Sequence, residues 1–207
     1  MVKGVSRRKA LSSALALGGV AGLLCVQVRG EVRRVLPADQ IRPPGALREA
    51  EFLDACVRCG LCVQACPYDA LHLADLWQSV PTGTPSFVAR QTACEMCKNI
   101  PCVAACPTGA LRSSLTDIND AAMGLAELSA PARCLSITGA AYCDSCFQAC
   151  PVKGQALRMQ PGRTARGGNF TPLVDAGHCT GCGCCEAACV LQGDAAITVR
   201  ANHATQR

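Results

Sequence analysis

Cysteine is the residue type with the clearest chemistry in this sequence. The chain has 207 residues and 18 cysteines, and sixteen of these cysteines fall into four runs. The sixteen candidate ligands are Cys56, Cys59, Cys62, Cys66, Cys94, Cys97, Cys102, Cys106, Cys134, Cys143, Cys146, Cys150, Cys179, Cys182, Cys185 and Cys189. The first run reads C-x2-C-x2-C-x3-C-P, and the others are variants of it. This spacing is typical of thiolates that bind the iron of [4Fe–4S] clusters.

The four runs are successive copies of one repeat. They occupy residues 56–66, 94–106, 134–150 and 179–189. Their closing cysteines follow one another at intervals of 39 to 44 residues, which indicates an internal repeat. The second and third runs each contain one enlarged gap, and Val190 stands where the other runs have proline. We expect each copy to be a cysteine-bearing loop and a turn, followed by a short strand or helix.

The spacing also predicts how the cysteines share clusters. Three cysteines of a run can bind one cluster, while the cysteine before proline ligates a different one, so runs act in pairs. Four runs therefore predict an α+β fold of two bacterial-ferredoxin-like units with four [4Fe–4S] clusters. Runs one and four share the compact spacing, which favours nested pairing of one with four and two with three. Sequential pairing uses the same ligands and stays open.

Zinc and disulfide bonds are the competing explanations of so many cysteines. Zinc sites commonly use two C-x2-C pairs, often with histidine. The three histidines, His72, His178 and His203, all lie outside the runs. Zinc also leaves the third cysteine and the proline after the fourth unexplained. Disulfides are common in exported proteins, but closely spaced cysteines in four tight loops form a poor disulfide framework. Iron and sulfur are the favoured interpretation.

Two cysteines remain outside the runs. Cys25 lies in the apolar N-terminal stretch, and Cys184 directly precedes a ligand candidate. The gaps from Cys182 through Cys185 to Cys189 repeat those of the first run, whereas gaps counted through Cys184 do not. Cys185 is therefore the predicted third ligand of the fourth run.

The first 29 residues have the outline of an export signal. Four basic residues precede residues 10–28, which carry no charge, and this order is typical of signal peptides. Residues 6–11, SRRKAL, resemble the twin-arginine export signal, with Ala10 where that signal prefers phenylalanine. No clear cleavage site ends the stretch, and about 20 apolar residues can span a bilayer. Residues 1–29 are thus predicted to be a twin-arginine signal or an N-terminal anchor.

The remaining chain divides into a linker at 30–50, a four-cluster module at 51–200 and a tail at 201–207. Five basic residues before position 30 account for the net charge of +5, so the rest of the chain is balanced. This balance and the scarcity of aromatic residues argue against nucleic-acid binding. No arrangement of side chains indicates a catalytic site, which makes electron transfer the expected function. Trp77 and Phe87 are expected in the core, and residues 162–168 in a solvated loop.

Several stretches between the cysteines resemble the ferredoxin-type proteins of the MauM/NapG family. The resemblance extends over about residues 42–200. The twin-arginine-like start of the chain agrees with it. Its motifs lie at residues 42–46, 55–60, 66–69, 83–85, 87–90, 94–97, 100–102, 123–126 and 179–183. Because a generic four-cluster ferredoxin would share the runs but not these stretches, the resemblance is specific.

The resemblance implies a periplasmic electron carrier with four [4Fe–4S] clusters. In the nitrate-reductase branch, such a carrier works with a polytopic membrane partner, itself ferredoxin-type, as a quinol dehydrogenase. Electrons then pass to a c-type cytochrome that supplies a periplasmic reductase. In the methylamine-utilisation branch, the implied role is electron transfer or maturation of another enzyme.

Overall fold

Short helices and two-stranded sheets, joined by turns, make up this fold. The computed structural model describes residues 40–78, 80–165 and 167–201, all of which belong to one compact unit. The helices are α1 (Glu49–Ala55), α2 (Leu61–Gln64), α3 (Pro101–Ala104), α4 (Ser145–Ala149) and α5 (Cys184–Ala187). The strands are β1 (His72–Leu73), β2 (Pro85–Ser86), β3 (Gly124–Glu127), β4 (Leu157–Thr164), β5 (Gly167–Val174) and β6 (Thr198–Ala201). Single 3-10 turns lie at Ile118–Asp120 and Pro131–Arg133. The predicted α+β composition is confirmed.

Four of the five helices are one-turn elements inside the cysteine runs. Each of α2 to α5 carries the third cysteine of its run. Gly60 and Gly183 precede α2 and α5 in the left-handed conformation, with φ of 75° and 89°. Glycine adopts this conformation without steric cost, so the chain can reverse sharply into the helix. Loops were expected here from the sequence, so these short helices were not predicted.

Three antiparallel sheets of two strands each hold the described chain together. β1 pairs with β2, with His72 opposite Ser86. β3 pairs with the distant β6, with Gly124 opposite Ala201. The short strand or helix expected after the fourth run is thus a strand, β6, which begins at Thr198.

The longest sheet is the hairpin of β4 and β5, with Thr164 opposite Gly167 at its turn. The prediction of a solvated loop at residues 162–168 was wrong, because most of this segment forms the paired ends of both strands. Its polar composition reflects exposure of the strands and not the absence of pairing: Gly162 and Arg163 are exposed although they are part of β4.

The core is small and is built from both ends of the described chain. Phe87 is 1% exposed, as expected, but Trp77 is 95% exposed, so its predicted core position was wrong. Trp77 follows Asp75 in the turn after β1, where the N–H of Gln78 donates to the carbonyl of Asp75. This turn projects the indole away from the core.

The segment assigned to a linker at residues 30–50 is structured over its described part. Ile41 is fully buried and exchanges backbone hydrogen bonds with Phe87, and Ala46 is 3% exposed. Arg42 is buried and donates to both carboxylate oxygens of Glu49 in α1. The packed part of the described chain therefore includes residues from Ile41 onwards.

The predicted signal or anchor at residues 1–29 and the tail after Ala201 lie outside the described residues. Within the described ranges, no helix has the length and apolar character needed to cross a bilayer.

Candidate iron–sulfur sites

Four cavities, each lined by four cysteines, account for all sixteen predicted ligands. We number each cavity by the run that supplies its first three cysteines. Cavity 1 holds Cys56, Cys59, Cys62 and Cys106. Cavity 2 holds Cys94, Cys97, Cys102 and Cys66. Cavity 3 holds Cys134, Cys143, Cys146 and Cys189. Cavity 4 holds Cys179, Cys182, Cys185 and Cys150.

The closing cysteine of each run lines the cavity of the neighbouring run. Run one exchanges its closing cysteine with run two, and run three exchanges with run four. In agreement, α2 packs against α3, and α4 packs against α5. The nested pairing favoured from the spacing was therefore wrong, and sequential pairing is the arrangement that the structure contains.

Enlarged gaps misled that prediction because turns absorb them locally. Between Cys134 and Cys143, the N–H of Thr138 donates to the carbonyl of Cys134, and the N–H of Ala140 to the carbonyl of Leu135. The extra residues fold back on themselves, so both cysteines still reach cavity 3. The length of a gap thus carries no information about which run is the partner.

The four closing cysteines have equivalent backbone geometry. Each donates its N–H to the carbonyl of the residue three positions earlier, at 3.1 to 3.2 Å. These pairs are Cys66 to Val63, Cys106 to Val103, Cys150 to Phe147 and Cys189 to Glu186. The bond ends the one-turn helix, so the next residues turn away and the closing cysteine faces the neighbouring run's cavity.

The walls of the cavities are mainly apolar. Leu71, Ile100 and Ile118 line cavity 2, and Leu128 and Ile197 line cavity 3. Apolar walls exclude water and lower the local dielectric constant, which strengthens every electrostatic interaction with the sulfur atoms.

Burial makes the thiols of several cavity cysteines weak acids. It raises the pKa of Cys62 to about 11 and that of Cys94 to about 12, and neighbouring cysteines add to both shifts. Burial likewise raises the pKa of Cys102 and that of Cys146, each to about 11. Because thiolates are the metal-binding form, loading such a cavity releases protons.

Backbone N–H groups that donate to a cysteine sulfur lower the pKa of its thiol. At Cys106, burial opposes ionisation, but N–H groups led by that of Leu111 outweigh it and lower the pKa. The Leu111 N–H lies 3.4 Å from the Cys106 Sγ. Hydrogen bonds of this kind tune the reduction potential of iron–sulfur centres. From the sequence, only a turn and a short strand or helix were expected after each closing cysteine, without this function for the backbone.

The donor sets fit a polynuclear group better than a single ion. In the described part of the chain, no three His, Cys, Asp or Glu side chains come close enough to hold one metal ion. Each of the four cavities is nevertheless lined by four cysteines and by mainly apolar side chains. The seventeen described cysteines are all free thiols. These features match cubane clusters held by four thiolates each.

Cys185 lies in the wall of cavity 4, whereas Cys184 does not line any of the four cavities. The Cys184 thiol instead donates to the backbone carbonyl of Cys94 at 3.5 Å. The neighbouring Cys184 side chain also lowers the pKa of Cys182. The structure thus separates the two adjacent cysteines, although ligation by Cys185 itself stays a prediction.

Comparison with known proteins agrees with these cavities. The sequence model of the 4Fe-4S dicluster domain matches residues 55–110, which contain runs one and two. The methylamine utilization ferredoxin-type protein MauM of Paracoccus denitrificans is 46% identical over 197 residues, covering 94% of this chain and 87% of the relative. MauM of Methylorubrum extorquens is 45% identical over 200 residues, covering 95% and 90%. The ferredoxin-type protein NapG of Haemophilus influenzae is 46% identical over 201 residues, covering 93% and 71%.

The chain belongs to the MauM/NapG family of ferredoxin-type proteins. As a member of this family it is an iron–sulfur electron-transfer protein that binds [4Fe–4S] clusters. The dicluster match covers two adjacent runs, as sequential pairing requires. No solved structure shows a significant match to the chain.

Proposed function

We propose that this MauM/NapG family member is a periplasmic carrier with four [4Fe–4S] clusters in two bacterial-ferredoxin-like units. The observation that supports this proposal most directly is that all sixteen predicted ligands line four cavities, with four cysteines in each. Runs one and two supply one unit, and runs three and four supply the other.

Each bound cluster takes up and releases one electron. The protein contributes ligands, spacing and insulation. The cysteines hold the iron, the backbone N–H of Leu111 donates to the sulfur of Cys106, and apolar side chains such as Leu71 and Ile197 exclude water. We find no arrangement of acid, base and nucleophile in the sequence that supports a separate catalytic reaction.

The proposed donor is a polytopic, ferredoxin-type membrane subunit that oxidises quinol. The proposed acceptor is a periplasmic c-type cytochrome or reductase of the nitrate-reductase type. The similarity to NapG and the twin-arginine-like SRRKAL segment support this route. Export by the twin-arginine pathway would place the folded, cluster-loaded protein beside the membrane.

Iron and acid-labile sulfide in anaerobically purified protein, with low-temperature EPR after reduction, test the cluster content. About sixteen irons per chain and interacting S = 1/2 signals are expected. About eight irons in fully loaded protein would contradict the four-cluster proposal. Fractionation of cells then tests the location, because a cytoplasmic carrier would contradict export.

A function in methylamine utilisation is the second candidate. It is favoured by MauM relatives of similar identity, of which this chain covers 87% and 90%, against 71% for NapG. Deleting the gene and measuring growth separates the candidates. Loss of periplasmic nitrate reduction supports the first function, while loss of growth on methylamine alone supports the second.

A further inference from the structure

A compact junction joins cavity 2 to cavity 4. The backbone N–H of Cys94, in cavity 2, donates to the carbonyl of Cys182, in cavity 4, at 2.8 Å. The Cys184 thiol donates back to the carbonyl of Cys94. Beside them, the N–H of Met123 donates to the carbonyl of Thr180 at 2.9 Å. The walls of these two cavities are therefore in direct contact, so the four cavities follow one another in the order 1, 2, 4, 3.

Arg90 fastens this junction from one side. Its guanidinium extends from the segment after β2 to the end of α5, about 100 residues away in sequence. It donates to five backbone carbonyls, at distances from 2.5 to 3.5 Å. The acceptors are those of Glu186, Ala187, Cys189, Leu191 and Gly193.

These acceptors include the carbonyls at the end of a helix, which have no partner within the helix. Arginine suits this task because its planar group carries five N–H donors in a fixed arrangement, whereas lysine offers one compact ammonium. One acceptor belongs to Cys189, which lines cavity 3. Arg90 therefore holds both the end of α5 and the loop that carries this cysteine.

Close packing beside Arg90 leaves the junction little freedom. An added Cβ on Gly183 would lie 2.5 Å from the Cβ of Ala89, the neighbour of Arg90. The segment that contains Arg90 and the segment that contains Gly183 thus meet at van der Waals distance. Loss of the guanidinium would remove five of the hydrogen bonds that cross this surface.

We propose that Arg90 is a positioning residue for electron transfer, which fixes cavity 4 against cavity 2. This inference rests on the proposed four-cluster content, since it concerns the separation of two loaded cavities. In this transfer, one electron leaves the reduced group in one of the two cavities, 2 or 4, and reduces the oxidised group in the other.

The test compares Arg90→Met and Arg90→Lys with wild-type holoprotein. Arg133→Met is the matched control, because Arg133 donates a single exposed bond to the carbonyl of Gln192 in the same loop. Hydrogen exchange at the Cys94 and Met123 amides reports on the junction. Exchange at the Arg112 amide, which donates to the carbonyl of Gly45, reports on a part of the fold away from the junction. Pulsed EPR of the reduced protein measures the magnetic interaction across the junction.

For Arg90→Met we expect exchange at Cys94 and Met123 to quicken by about tenfold or more, with exchange at Arg112 unchanged. The magnetic interaction across the junction should weaken. Arg90→Lys should fall between wild type and Arg90→Met, and Arg133→Met should match wild type. If Arg90→Met does not fold, Arg90→Lys is compared alone with Arg133→Met.

Wild-type exchange and wild-type EPR in the folded Arg90 variants would overturn the inference while leaving the four-cluster proposal intact. Wild-type protein with only about eight irons would instead overturn the proposed function. The iron analysis of wild-type protein therefore separates the two failures.

Discussion

The closing cysteines link neighbouring repeats at the scale of single residues. Cys66 belongs to run one by sequence, yet it lines cavity 2 with Cys94, Cys97 and Cys102. Its backbone N–H donates to the carbonyl of Val63 in its own run, while its side chain faces the cavity of run two. One residue thus connects the local structure of one repeat with the proposed ligation of another.

Cys66→Ser is predicted to disturb cavity 2 and leave cavity 4 unchanged. The serine hydroxyl is a poorer ligand for iron than a thiolate, so the EPR signal of the group in cavity 2 should shift or disappear. The variants Cys94→Ser and Cys179→Ser provide reference spectra for the two cavities. A Cys66→Ser spectrum that resembled Cys179→Ser would restore nested pairing.

The adjacent cysteines of run four should respond differently to substitution. Cys185 lines cavity 4, while Cys184 bonds to the carbonyl of Cys94 outside it. We predict that Cys185→Ala lowers iron by about four atoms per chain, while Cys184→Ala keeps about sixteen. Iron analysis of both variants, prepared side by side, checks this. Equal losses, or a loss confined to Cys184→Ala, would contradict the assignment.

At the scale of elements, α1 is anchored by a buried ion pair. Arg42 and Glu49 have side chains 5% and 10% exposed. The guanidinium also donates to the Thr84 hydroxyl and the Pro85 carbonyl and lies 4.6 Å from the centre of the Phe52 ring. These contacts tie the start of the described chain to β2, so α1 is positioned by tertiary contacts and not by its own length.

Glu49→Ala should destabilise the holoprotein strongly, because it leaves the buried Arg42 guanidinium without its carboxylate. Breaking a buried pair in this way costs about 3–5 kcal/mol. Glu51→Ala is the matched control on the same helix, since Glu51 and Arg48 are 47% and 68% exposed and solvent screens such a pair, so its loss should change stability little. Denaturant unfolding under anaerobic conditions measures both, and equal effects would contradict the prediction.

At the scale of the whole molecule, the proposed clusters are structural as well as functional. The one-turn helices and two-stranded sheets bury few large side chains; Phe52 and Phe87 are the largest among the fully buried ones. Small elements of this kind rarely supply enough apolar burial to fold without metals or disulfides, and the described cysteines form no disulfide.

Removal of iron is therefore predicted to unfold much of residues 41–201. Where a metal group binds only the folded chain, its binding free energy stabilises the fold. Protein stripped by an oxidant and a chelator should lose near-UV circular dichroism and become sensitive to protease, and anaerobic reconstitution should reverse both changes. Stripped protein with unchanged amide-exchange protection would contradict this prediction.

Much of the candidate site could be predicted from cysteine spacing. All sixteen cysteines selected in this way line cavities, and Cys185 was distinguished from Cys184 by gap lengths alone. The short helices were missed because four or five residues contain too little periodicity to indicate a helix. Trp77 was misplaced because its apolar side chain suggests burial, while the turn that exposes it depends on the chain around it.

The cysteine spacing and the stretches between the runs were enough to count the runs, recognise the family and predict the ligand type, because thiolate chemistry and a repeated interval are local properties of the chain. The pairing of runs and the contact between cavities 2 and 4 could be seen only in the folded chain. Both depend on which surfaces pack together, as where Arg90 meets the carbonyls after α5. Contacts between segments about 100 residues apart arise from packing and hydrogen bonding in the folded state, and no spacing within a run records them.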